Sequence, residues 1–153
     1  MALFKLIHLL AVIIWVGGMF FAYMVLRPAA VDVLQPPERL RLWDNVFHCF
    51  FNWVWGAVGT ILVTGLYMIY QYGGMGHAPR FVHVMLALGL VMVGIYSFVF
   101  FVHYVRLNLH VSKERWKEAG ETLGKIRKLV ALNLTLGLIT VCVAVIGVAG
   151  GFA

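Results

Sequence analysis

Four long stretches without a charged side chain, residues 6–26, 45–70, 81–105 and 129–153, leave this chain few ways to fold. Each is at least as long as the ~20 helical residues needed to cross a hydrocarbon layer about 30 Å thick. A strand barrel would show alternating segments of ~10 residues, and these runs do not alternate. With 63% hydrophobic and 12% charged residues, and a mean hydropathy of +0.93, a soluble domain could not hide so much apolar surface. The pattern predicts an all-α integral membrane protein, an antiparallel up-down four-helix transmembrane bundle. It forms one domain over residues 1–153, with spans at about 4–26, 46–71, 80–105 and 127–150.

The first run is too long for a signal-peptide core. It ends at Arg27-Pro28 without a small-residue cleavage site, so it reads as a span. The net charge of +6 does not point to nucleic acid, because ten of the twelve basic residues sit in two loops. Arg27, Arg39 and Arg41 follow the first span, and Arg106, Lys113, Arg115, Lys117, Lys125, Arg127 and Lys128 follow the third. Lys5 and Arg80 lie on the other side. The positive-inside rule then places both basic loops in the cytoplasm and both termini in the periplasm of a bacterial inner membrane. Lipid headgroups are natural partners for the basic loops. Cys49 and Cys142 fall at different depths, which disfavours a disulfide.

Within the spans, Gly17-Gly18 allows close approach of a neighbouring helix or a flat ligand. Pro28 is expected to end the first helix, and Pro36-Pro37 to keep the next connection non-helical. His48, Asn52, Trp55 and Gly59 fall on one stripe of the second span, and Asn52 is expected to face the bundle interior. Trp43, Tyr70, Tyr72 and Tyr104 lie where an aromatic belt would meet the membrane surface. Residues 107–128 read as a polar helical hairpin with Glu121 and Lys125 spaced for an ion pair. Gly147 and Gly151 form a small-residue pair suited to helix packing.

The chemistry-bearing residues are the histidines. His8 and His83 are each the third residue of their uncharged run, on spans that point the same way. Two imidazoles at matching depth suit the axial ligation of a haem b iron, so both are candidate metal ligands. Lys5 and Arg80 each precede their histidine by three residues and would meet the haem propionates. Trp15 and Gly18 could border a porphyrin, although Trp15 is better read as core. No Cys-x-x-Cys-His occurs, which excludes covalent c-type attachment. His48 and His103 form a second depth-matched set and a candidate second haem site. Against it, His83 and His103 are about 200° apart on a straight helix at ~100° per residue. His77 and His110 are loop residues without an assigned role.

The segment from Lys5 through His8 and Trp15 to Gly17-Gly18, followed by Leu26-Arg27-Pro28, resembles the CopD copper-resistance membrane family. It is also similar to the related HemJ protoporphyrinogen oxidases, as are Thr64-Gly65 and the segment Phe81-Val82-His83-Val84-Met85-Leu86. The resemblance implies His8 and His83 as haem-associated histidines. Met85 stands where HemJ has a lysine. The leading expectation is a membrane haem b protein exchanging electrons with quinol or a periplasmic partner, in an oligomeric state left open, a homodimer among the options. The alternatives are copper transport or resistance, for which imidazole and thioether donors suit copper(I), and porphyrinogen oxidation. For copper, Met19, Met24, Met68, Met75, Met85 and Met92 are available, without a Met-x-x-Met or Cys-x-x-Cys cluster.

Overall fold

The structure, a computed structural model, describes residues 1–150. Four helices, α1 (Ala2–Val33), α2 (Pro36–Gln71), α3 (Arg80–Ser112) and α4 (Trp116–Val148), are each long and apolar enough to cross a membrane. All four extend past the uncharged runs. The last three residues of the fourth run, with Gly151 of the expected glycine pair, lie outside the described residues.

Pro28 does not end α1. The turn just before it, Ala22–Leu26, is widened to π geometry, and the Arg27 N–H reaches the Ala22 carbonyl. Such a turn absorbs both the missing proline N–H and the clash of its ring, so the helix continues through Arg27–Val33. Pro36-Pro37 likewise opens α2 rather than preventing it: both prolines occupy the first helical positions, where no intrahelical N–H is needed. The connection between α1 and α2 is therefore only residues 34–35.

Contacts fix how neighbouring helices run. Phe4 stacks on Tyr67 at 4.0 Å, His8 meets Thr64, and a methyl group on Gly18 would collide with Phe50. Residue numbers fall along α2 as they rise along α1, so these two helices run in opposite directions. Phe81 packs over Gly147, and Met92 approaches Gly137, which gives α3 and α4 the same relation. The largest contacts join α1 to α2 and α3 to α4. Helix α1 also touches α4.

Burial is uneven along these helices. Leu107, Leu123 and Ile126 are the most completely buried large side chains together with Val54, and those three lie outside the uncharged runs. Leu9, Ile13, Phe20, Leu90 and Val145, inside the runs, are exposed. The physical reason is the solvent. Water beyond the membrane drives apolar side chains together, whereas lipid tails are as apolar as leucine and exert no such drive.

The same effect corrects the expected aromatic belt. Trp43 and Tyr104 are 4% and 9% exposed, because α2 and α3 continue as a packed bundle beyond the surface and take these rings inside. Tyr70, at 76% exposed, does face outward. Phe51 is the hub of the aromatic core, against Phe47 at 5.2 Å, Tyr104 at 5.2 Å, Tyr96 at 5.6 Å and Phe100 at 5.7 Å. Trp15 is buried edge-on to Tyr96 at 6.0 Å, as a core residue.

Asn52 does not face the interior. It is exposed on an outward groove of ≈ 520 Å³ between α1 and α2, with Gly56 and Thr60. Its amide donates to the His48 carbonyl at 3.0 Å, so one of its groups is satisfied along its own helix and the bundle need not supply a partner. The expected hairpin is a sharp turn at residues 113–115 with Glu114 at φ 53°. Among the described residues the ion pair is Arg41–Glu114 at 3.1 Å, not Glu121–Lys125.

Candidate functional site

His8 sits in the second turn of α1, half-buried against α2. Its Nδ1 is 2.8 Å from the Thr64 hydroxyl oxygen. Thr64 is 4% exposed, and its one hydroxyl proton goes to the Thr60 carbonyl at 2.6 Å. The threonine oxygen can therefore only accept from the imidazole. With the hydroxyl proton directed to the Thr60 carbonyl, neutral His8 carries its proton on Nδ1 and presents Nε2 as the electron-pair donor. A bonded partner on one ring nitrogen that fixes the other as a ligand is how metal-binding imidazoles are oriented.

Three features hold this ring in place. The Phe4–Tyr67 stack locks the helix end one turn earlier. Thr64 is buried and cannot turn to water without breaking two bonds. The His8 Cε1 edge lies over Gly65, where a Cβ would stand 3.5 Å away.

His83 is exposed in the first turn of α3. Its Nδ1 is 3.2 Å from the Pro79 carbonyl oxygen. A carbonyl only accepts, so this ring too carries its proton on Nδ1 and leaves Nε2 free. Each ring is thus held by its own partner, His8 by α2 and His83 by the residue opening its own helix. No hydrogen bond joins either ring to the other among the described residues. Lys5 and Arg80 are exposed at the same end.

The other expected residues are placed differently. Phe50 fills the space over Gly18, so the close approach that this glycine permits is taken by a helix neighbour rather than left for a flat ligand. His48 lies 3.3 Å through Nδ1 from the Tyr104 hydroxyl. His103 is 8% exposed and edge-on to Phe98 at 5.0 Å. The two occupy the same end without a shared partner. A widened turn at Val99–Tyr104 lies between His83 and His103, so the straight-helix angle between them does not apply. No cluster of three or more His, Cys, Asp or Glu side chains suited to a metal is present among the described residues. Cys49 and Cys142 are free and exposed.

Thr64 is the residue that reading by histidines alone overlooks. Its signal is a hydroxyl in an apolar run, at the height on α2 that opposes His8 once the two helices are laid antiparallel.

Fold and site together define a multi-span helical membrane protein with His8 and His83 near one end of the bundle. The family described as Copper resistance protein D matches residues 44–147, and the chain belongs to it. No curated protein and no solved structure matches the chain.

Proposed function

We propose that this protein handles copper ions in the membrane, as a transport or resistance protein of the CopD kind. The observation that carries this reading is the family match, which runs from within α2 to the end of α4. On this reading the helices form an antiparallel up-down bundle in a bacterial inner membrane, with both termini periplasmic. The donors for copper(I) are the free Nε2 atoms of His8 and His83 and the thioethers of Met68, Met75 and Met85 near the same end, because imidazole and thioether suit that ion. Sealed vesicles holding the purified protein are expected to take up copper(I), and His8→Ala to abolish uptake. Uptake equal to that of protein-free vesicles would sink the reading.

A second reading has an observation of its own. Nδ1 of each imidazole faces an oxygen, Thr64 Oγ1 for His8 and the Pro79 carbonyl for His83, and a proton held there leaves Nε2 for axial ligation of haem b. His8 and His83 would hold the iron, and Lys5 and Arg80 are free for the propionates. Gly18 takes no part, since Phe50 covers it, and Trp15 is core. Haem b, when bound, supplies one-electron chemistry, with quinol or a periplasmic protein as partner. A red preparation whose pyridine haemochrome is lost in His8→Ala would favour this reading over copper handling. Porphyrinogen oxidation is the third alternative, tested by rescue of a strain unable to make protoporphyrin.

A further inference from the structure

Three arginines at the basic end of the bundle come from three different helices: Arg27 from α1, Arg39 from α2 and Arg127 from α4. Arg127 lies within electrostatic reach of both others. All three are partly buried, and the Arg127 Nε is fully buried without a hydrogen-bond partner. Arg27 stands over the Tyr23 ring at 5.1 Å. No carboxylate forms an ion pair with any of them among the described residues.

The contrast with Arg41 shows that this is not general crowding of charge. Arg41, on the same helix as Arg39, bonds Glu114 and covers Trp116. Arg127 is repelled by Arg27 and Arg39, and all three are partly withdrawn from water with the Arg127 Nε unpartnered, an arrangement that an anion would stabilise. Their planar donor forks match the oxygens of a phosphate, which can accept from several guanidinium groups at once.

Depth narrows the source. Arg27 is the first charge after the run 6–26, and Arg127 stands two residues before the run 129–153. Both therefore sit at the level of the lipid headgroups.

We propose that Arg27, Arg39 and Arg127 form a phosphate-binding site, filled by the headgroup phosphate of an anionic phospholipid or by a free phosphate ion. The site stands apart from His8 and His83, at the opposite end of the bundle.

The test uses the full chain in maltoside micelles, which carry no phosphate. Phosphatidylglycerol, inorganic phosphate and uncharged diacylglycerol are added separately, and retention by native mass spectrometry is read beside the unfolding temperature. Phosphatidylglycerol or inorganic phosphate is expected to raise the unfolding temperature where diacylglycerol does not; which of the two acts identifies the source. Arg127→Gln and Arg39→Gln are expected to weaken that binding at least tenfold, on the order of one strong charged hydrogen bond. Lys117→Gln, of equal charge change outside the cluster, is expected to leave binding unchanged. Without any anion, Arg127→Gln is expected to unfold no earlier than wild type, because it relieves repulsion; a residue with a purely structural role would lose stability there. Equal binding of diacylglycerol, no effect of either anion, or equal weakening by Lys117→Gln would overturn the proposal.

Discussion

The two ends of this bundle are built by different physics. At the basic end, α2, α3 and α4 continue beyond the uncharged runs, where Leu107, Ala119, Leu123 and Ile126 are buried almost completely. Polar ties cross between helices there: Asn108 donates to Asp44 at 3.0 Å, and Arg41 to Glu114 at 3.1 Å. At the histidine end, His83, Lys5 and Arg80 are exposed. The one side-chain hydrogen bond joining two helices there is His8–Thr64, among the described residues. Water-driven burial makes one end a rigid clamp. The other keeps nitrogen donors accessible. The difference implies that stability and ligand chemistry are separable along the helix axis, which substitutions can test.

The largest effect on stability is expected from the aromatic hub. Phe51→Ala removes a 4% exposed ring that touches four others, a change that typically costs about 3–5 kcal/mol. Its unfolding temperature in detergent should fall furthest, with ligand binding at the histidine end unchanged below the transition. Next is Gly147→Ala, whose methyl meets the Phe81 ring; displacing that ring is expected to cost about 1–3 kcal/mol.

Thr64→Val should separate the two properties. It removes the acceptor of the His8 bond at a stability cost of about 1 kcal/mol, yet should weaken metal affinity by roughly 10–100-fold, the usual effect of losing an orienting partner. Comparable losses in Thr64→Val and Phe51→Ala, on both readouts, would break the separation. The smallest effect belongs to Glu114→Ala. Its pair with Arg41 is well exposed on both sides, so thermal unfolding should barely change.

The four long apolar helices were legible in the sequence because charge is so costly in hydrocarbon that uncharged runs of this length mark helices able to cross it. Helix ends were less so. Pro28 breaks a regular helix, but a widened turn reconciles it, and nothing local in the sequence announces that turn. Asn52 was misplaced by a rule that polar groups in lipid turn inward; its bond along the helix to His48 lets it face the groove instead. Trp43 and Tyr104 looked interfacial because the sequence shows where charge begins, not where packing stops. That His8 and His83 lie near the same end was legible from their places in the uncharged runs. Their hydrogen-bond partners were not, since these depend on Thr64 and Pro79 standing within hydrogen-bond distance.

Nitrogen-15 NMR of histidine-labelled protein, titrated with copper(I), tests the bare Nε2 of His8 most directly. The account predicts that the His8 Nε2 resonance moves on binding while its Nδ1 keeps its proton and its bond to Thr64. A His8 ring protonated on Nε2, or copper bound with that resonance unmoved, would contradict it.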